Sequence, residues 1–219
     1  MIDLHTHTLF SDGELLPSEL IRRAKAKGYK VIGISDHADP ANIEMVITGI
    51  LRLKKELKHY KGITVVPGVE ITHSPKGLIK ELIAFARRLG AAYVVVHGET
   101  IVEPVEKGTN RAAIEGKADI LAHPGLITEE DAALAKKGGT FLEITSRKGH
   151  SLTNGHVARL AKKIGARLLL NTDSHSPSDL ISREDAKKVV LGAGLSLQDF
   201  AKMQNDAMEF VKRITGSGT

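Results

Sequence analysis

Hydrophobic residues fall into two alternating kinds of segment along the chain. Short runs rich in Val, Ile and Leu alternate with longer stretches in which apolar residues recur every three or four positions. The short runs predict seven strands, several of them buried on both faces as in a parallel sheet. In order these are MIDLH, YKVIGISDH, ITVVPGVE, AAYVVVH, ADILAH, TFLEITS and RLLLNTDSH. Strands that alternate with helices predict a parallel α/β fold, either a closed barrel or an open sheet.

The helical stretches carry recognisable end signals. PSELIRRAKAKG has Pro17 in its first turn and stops at Gly28. Three pairs have capping-box spacing, with Asp in place of the usual Glu or Gln. The pairs are Thr128 and Asp131, Ser182 and Asp185, and Ser196 and Asp199. We expect the last helix to bury one apolar face, formed by Leu197, Phe200, Ala207, Val211 and Ile214.

Composition limits the class of protein. The 219 residues are enough for one sizeable core, and 42% hydrophobic with 26% charged residues is typical of a globular domain. The densest apolar run, AAYVVV, is strand-sized and too short to cross a bilayer, and no secretory signal is evident. We therefore expect one domain over residues 1–215, a frayed tail over 216–219, and a cytoplasmic location without membrane contact.

Charge and residue usage also limit the partners. The net charge of +5 is spread along helices, and aromatic residues make up only 4% of the chain, so little is available to stack on nucleobases. Nucleic-acid binding is not indicated, and a mildly basic protein favours a small anionic substrate. The absence of cysteine means that His and carboxylate side chains must hold any metal. The oligomeric state cannot be predicted from these features.

Every predicted strand carries a possible metal ligand at or near its carboxyl end. These ends meet on one face in a barrel, and in α/β folds the chemistry is found there. Nine residues are candidate ligands: His5, His7, Asp12, His37, Glu70, His97, His123, Asp173 and His175. They suffice for two or three divalent ions that share a carboxylate, and nitrogen and oxygen donors admit zinc, manganese or iron. Ions that share a water lower its pKa and form a hydrolytic centre.

The motifs HTH with a following SDG, then SDH, GVE, VVH, AHP and TDSH, resemble those of the PHP (polymerase and histidinol phosphatase) family, from residue 2 to about 176. The resemblance implies a distorted seven-stranded (β/α)7 barrel with a trinuclear metal site at the carboxyl ends of the strands. It also implies hydrolysis of phosphoesters by a free-standing domain similar to histidinol phosphatases.

The resemblance also implies a distribution of ligands among the ions. The first ion would be bound by His5, His7, Glu70 and Asp173, the second by Glu70, His97 and His123, and the third by Asp12, His37 and His175. Asp12 stands where some members of the family have histidine. Glu70, Asp173 and His175 are the expected catalytic residues, and we expect Asp3 and Asp36 to orient imidazoles.

The polar segment over residues 143–156 is the candidate for substrate contacts. Arg147, Lys148 and His150 could bind a substrate phosphate there, Arg147 by a bidentate contact. Glu143 could orient a ligand or substrate, or make a buried hydrogen bond instead. His73 could line the rim or face solvent. His156 is expected to be structural or exposed.

These observations favour a metal-dependent phosphoesterase that hydrolyses a small phosphate monoester, histidinol phosphate being one candidate, by attack of a metal-bridging hydroxide. No cysteine, G-x-S-x-G motif or P-loop offers another chemistry. The alternatives are a nuclease or nucleotide phosphatase with the same centre, an amidohydrolase, and a metal-binding module without turnover.

Overall fold

The structure, a computed structural model, describes residues 1–54, 56 and 59–216. The strands are β1 (Ile2–Asp3), β2 (Val31–Ile34), β3 (His37–Ala38), β4 (Thr64–Ile71), β5 (Tyr93–His97), β6 (Ile120–Ala122), β7 (Phe141–Thr145) and β8 (Leu168–Asn171). The helices are α1 (Pro17–Ala26), α2 (Ile43–Lys54), α3 (Lys76–Leu89), α4 (Thr109–Glu115), α5 (Glu129–Gly138), α6 (Asn154–Ile164), α7 (Arg183–Gly192) and α8 (Leu197–Thr215), with a 3-10 helix over His150–Thr153.

All strand pairs are parallel, in the order β1-β2-β4-β5-β6-β7-β8. The second predicted strand is interrupted after Ile34, and its two parts, β2 and β3, both pair with β4. A parallel bridge between Thr6 and Ser174 joins the chain beyond β1 to the chain beyond β8. The predicted seven-stranded α/β barrel is thus confirmed, and the open sheet is excluded.

The barrel interior has an apolar layer at the amino ends of the strands. It is built from Val31, Val66, Tyr93, Val95, Ile120, Phe141 and Leu169. The Tyr93 ring lies against Gly33 of β2 and Gly68 of β4, where a Cβ would overlap it. Helix α8 closes this end of the barrel, because the Phe210 ring packs edge-on against Phe141 at 5.5 Å and Tyr93 at 6.4 Å.

The predicted helix ends are largely confirmed. Thr128, Ser182 and Ser196 each accept a hydrogen bond from the backbone amide three residues later, and Ser196 with Asp199 forms a reciprocal capping box. One expectation for α8 was wrong: Leu197 is 51% exposed because it lies in the first turn, beside the cap. Phe200, Ala207 and Val211 are buried as predicted, and Ile214 is partly buried.

The end of α8 lies at the predicted tail. Gly216 is in the left-handed conformation and caps α8, while residues 217–219 of that tail lie outside the described residues. Across the residues that the structure describes, none of the helices has the length and apolar character that crossing a membrane requires.

Candidate metal centre

The nine predicted ligands meet at the carboxyl end of the barrel. A cavity of about 540 Å³ opens there, lined by Asp12, His37, His97, His123, Asp173 and His175 among others. His5, His7 and Glu70 are fully buried. The side chains converge because the inward-facing positions of each strand change from apolar to polar toward the carboxyl end; on β4, for example, Val66 is followed by Gly68 and Glu70.

His5, His7, Glu70 and Asp173 have the spacing of a single coordination shell. His5 Nε2 lies 3.3 Å from Glu70 Oε2 and 3.6 Å from Asp173 Oδ1. His7 Nε2 lies 3.6 and 3.2 Å from the same two oxygens. Four tetrahedral ligands, each about 2.1 Å from a zinc ion, are roughly 3.4 Å from one another. The four donor atoms are therefore placed as ligands of one cation would be.

The hydrogen bonding of this set also fits a cation. His5 Nε2, His7 Nε2, both Glu70 carboxylate oxygens and Asp173 Oδ1 are buried and make no hydrogen bond of good geometry among the described residues, although His37 Nδ1 lies 2.7 Å from Glu70 Oε2. Burying several polar atoms without partners costs free energy, and a metal ion offsets that cost for nitrogen and oxygen donors. These residues fit a divalent ion.

A second group shares Glu70 with the first. The donor atoms of Glu70, His97 and His123 lie within 4.8 Å of one another. Glu70 Oε1 faces this group at 3.9 Å from His123 Nε2, while its Oε2 faces His5. Glu70 is therefore placed to bridge two ions. His123 and Asp173 both have positive φ angles, 25° and 53°, a strained backbone conformation that is common at functional sites.

A third group lies nearer solvent. Asp12 Oδ1 is 3.6 Å from His37 Nε2 and 3.3 Å from His175 Nε2, and the two Nε2 atoms are 3.3 Å apart. His175 Nδ1 donates to the Asp173 carbonyl oxygen, so its Nε2 is free to bind a metal. All three residues predicted for the third ion are thus brought together, and His7 lies within the same cluster.

Glu143 accepts hydrogen bonds from two of the ligand residues, His5 and His123. Its Oε1 accepts from His5 Nδ1 at 2.8 Å and from Asn171 Nδ2 at 2.8 Å, and its Oε2 accepts from the His123 amide. Asp3 and Asp36 were expected to orient imidazoles, but their hydrogen bonds go elsewhere. Asp3 accepts from the His5 amide and from Thr172. Asp36 accepts from Thr8 and Ser11, so both carboxylates hold the loops that carry the ligands.

Burial and neighbouring charges shift the pKa values of the ligands. Burial, with His37 and His97 respectively, holds the pKa values of His7 and His123 well below the ordinary value, which keeps both imidazoles neutral as metal ligands require. Burial raises the pKa of Asp173 to about 7, although the His5 imidazole lowers it. Burial also raises the pKa of Glu70, but His5 and His37 outweigh it and hold that pKa well below its usual range.

Two of the three predicted substrate contacts line the cavity, and the third does not. Arg147 is half-buried, lines the cavity, and donates from Nη1 to Asp179 Oδ2 at 3.1 Å. His150 also lines the cavity, and its ring stacks on His123 with centroids 4.2 Å apart. Lys148 is exposed and is not brought to the cavity.

Two further histidines have different environments. His73 lines the rim of the cavity, which was one of its two expected positions. His156 lies in α6, where its Nε2 donates to the Ile127 carbonyl oxygen at 2.8 Å, and this is a structural contact as expected.

Sequence reasoning missed Glu103 and Asp179. Glu103 lies in the loop after β5, and its carboxylate is within 3.3 Å of ring nitrogens of His73, His97 and His150. Asp179 accepts from the His175 and Ser176 amides as well as from Arg147. The available signal was proximity along the chain, since Glu103 follows the VVH motif by six residues and Asp179 follows TDSH by four.

Comparison with known proteins identifies a family. The family model described as "PHP domain" matches residues 3–96. An uncharacterized protein of Methanocaldococcus jannaschii is 50% identical over 97% of both chains. A protein of Thermoanaerobacter sp. named "probable phosphatase" is 28% identical, with 99% of this chain and 98% of that protein covered.

Two solved structures share the fold. A chain of archaeal ribonuclease P with mature tRNA has a TM-score of 0.69 and 20% identity, covering 98% of this chain and 89% of that chain. Histidinol phosphate phosphatase from Lactococcus lactis, complexed with zinc, L-histidinol and phosphate, has a TM-score of 0.62 and 18% identity, covering 89% of this chain and 94% of that chain. At these identities the likeness is one of fold.

Proposed function

Because the chain belongs to the PHP domain family and is a metal-dependent phosphoesterase, we propose that it hydrolyses a small phosphate monoester at the ligand groups that share Glu70. One observation carries the proposal. Three groups of metal-ligating side chains meet around one cavity of about 540 Å³, whose wall also holds Arg147 and His150. A cavity of this size suits a small molecule.

The centre would hold two or three divalent ions, zinc, manganese or iron, on the nine ligands. His5, His7, Glu70 and Asp173 would hold the first, Glu70, His97 and His123 the second, and Asp12, His37 and His175 the third. Such ions would polarise the phosphate oxygens and activate a water as the nucleophile. The spacing of the donor atoms around Glu70 supports this assignment, as does the zinc bound to the histidinol phosphate phosphatase.

The remaining residues would bind and orient the substrate. The Arg147 guanidinium is held by Asp179 and would bind phosphate oxygens with its other nitrogens. His150, stacked on His123, would contact the same phosphate. Asp173 and His175 line the cavity, and we assign to them proton transfer to the oxygen of the leaving alcohol. The domain would comprise residues 1–215 and act in the cytoplasm.

Histidinol phosphate is one candidate substrate, and a nucleic-acid phosphodiester is the competing class. The fold shared with a ribonuclease P chain favours a test of the second class. The low aromatic content, 4%, argues against it because nucleobases have little to stack on.

The test combines metal content with a substrate panel. The protein is purified with zinc or manganese, the ions per chain are counted, and phosphate release is measured from monoesters, diesters and oligonucleotides. We expect monoester turnover that is lost in Glu70→Gln and His123→Ala and kept in Glu129→Gln, an exposed carboxylate paired with Lys163. Turnover of diesters or oligonucleotides alone would replace the proposal by a nuclease. Bound metal without turnover of any phosphoester would replace it by a metal-binding module.

A further inference from the structure

The Glu103 carboxylate contacts imidazoles from three separate segments of the chain. Its Oε2 lies 3.0 Å from His97 Nε2 on β5 and 3.3 Å from His73 Nε2 after β4. Its Oε1 lies 3.3 Å from His150 Nε2 on the 3-10 helix. The Glu103 charge would repel a phosphate substrate in this cavity unless protons on these rings or a cation offset it.

The tautomer of His97 makes this contact unusual. His97 Nδ1 donates to the Gly98 carbonyl oxygen at 3.1 Å. In the neutral ring, Nε2 therefore carries a lone pair, and that lone pair faces the Glu103 carboxylate. Two acceptors at 3.0 Å repel each other unless a proton or a cation lies between them.

The spacing agrees with a cation. The donor atoms of His73, His97 and Glu103 all lie within 4.8 Å of one another. The two distances to Glu103, 3.0 and 3.3 Å, are close to the roughly 3.4 Å expected between ligands of one tetrahedral ion. They are similar to the distances between donor atoms in the group of His5 and Glu70.

We propose that His73, His97 and Glu103 form an additional divalent-metal site, here called the rim site, through which an ion enters the buried centre. His97 Nε2 can bind one ion at a time, so the rim site and the group of Glu70, His97 and His123 are alternative positions of the same ion. His73 and Glu103 are 44% and 37% exposed at their side chains, whereas Glu70 and His123 are buried. An ion captured from solvent at the rim would reach the buried position while keeping His97 as a ligand.

This inference rests on the proposed metal centre but not on its substrate, and its first test follows metal uptake. Apoprotein is mixed with Co²⁺, and the visible absorption of the nitrogen- and oxygen-ligated ion is recorded against time. We expect Glu103→Gln and His73→Gln to slow uptake at least about tenfold, with the final number of ions unchanged. Glu106→Gln is the matched control, because Glu106 lies on the same loop but pairs with Lys76.

A second test isolates the rim site at equilibrium. In His123→Ala the buried position loses a ligand, and Co²⁺ should still bind at the rim; adding Glu103→Gln should then weaken that binding roughly tenfold or more. Uptake and Co²⁺ affinity unaffected by Glu103→Gln would overturn the inference and leave Glu103 as an ion-pair partner of protonated histidines. An absence of phosphoesterase activity with Glu103-dependent uptake would instead overturn only the proposed function.

Discussion

Glu143 accepts a hydrogen bond from His5 Nδ1 at 2.8 Å, and this contact directs His5 Nε2 toward Glu70 and Asp173. The Glu143 carboxylate, through this hydrogen bond, lies on the opposite side of the His5 ring from the metal position. It fixes the tautomer of His5 and raises the basicity of His5 as a ligand. The same carboxylate binds the His123 amide, so one side chain positions ligands from two of the groups.

The first prediction concerns this contact. Glu143→Gln keeps the size of the side chain but removes its charge. It also replaces one of the two acceptor oxygens by an NH2 group, which then faces a donor instead of accepting from it. We expect the affinity for the most tightly held ion to fall roughly tenfold, measured by competition with a chromophoric chelator. Glu129→Gln, at an exposed carboxylate, should leave affinity unchanged. Equal affinities in Glu143→Gln and the parent protein would show that the charge of Glu143 is not needed.

Removal of metal should lower the stability of the fold. The buried ligand atoms of His5, His7, Glu70 and Asp173 would lose their compensating cation when a chelator is added. An ion present at about a thousandfold above its Kd contributes about 4 kcal/mol to the free energy of unfolding. In a chain of 219 residues this corresponds to a decrease in Tm of roughly 10 °C.

Calorimetry with and without chelator measures this difference. Restoring zinc or manganese should restore the Tm, and in Glu70→Gln the chelator should have a much smaller effect. A Tm that the chelator does not change in the parent protein would refute the assignment of the buried atoms as ligands.

Arg147 provides a prediction about substrate binding. Arg147→Lys keeps the positive charge but loses the planar fork that Asp179 holds at the cavity wall. We expect KM for the best monoester to rise about tenfold with a smaller change in kcat, since the lost contact serves binding. Steady-state kinetics of Lys148→Ala is the control, because Lys148 is exposed away from the cavity. A larger effect in Lys148→Ala than in Arg147→Lys would reverse the assignment.

Gly68 provides a prediction about packing. A Cβ at this position would overlap the buried Tyr93 ring, so Gly68→Ala forces the ring or the strand to move. We expect the free energy of unfolding to fall by about 1–3 kcal/mol in denaturant titrations. Gly155→Ala is the matched control, because no atom lies within 4 Å of a Cβ at that helical position. Equal stability in the two variants would mean that the Tyr93 ring has room to move.

The parts of this structure that follow a regular period could be predicted from the sequence. The chain just beyond β1 stays extended through the bridge between Thr6 and Ser174, so the alternation predicted for His5 and His7 turns both toward the centre, and a ligand near the carboxyl end of most strands implies a common centre. The capping pairs depend on spacing alone, and all three form the expected hydrogen bond. The interruption between Ile34 and His37 was not predicted, because VIGISDH has the form of a single apolar strand that ends in a candidate ligand.

Loop residues could not be predicted in the same way. Glu103 and Asp179 reach the centre from loops after β5 and β8, where no period fixes the direction of a side chain. Asp3 and Asp36 were expected to orient imidazoles, yet their carboxylates accept from backbone and hydroxyl groups. Proximity in sequence identified their neighbourhood but not their partners.

Helix α8 follows all eight strands in the chain, yet it supplies Phe210 to the apolar end of the barrel. During synthesis, Tyr93 and Phe141 therefore emerge well before the residue that covers them. Until α8 docks, the bottom of the barrel is open to water and to other exposed apolar surfaces, including those of neighbouring nascent chains. The chain is thus most prone to aggregation in the interval between the synthesis of β8 and the docking of Phe210.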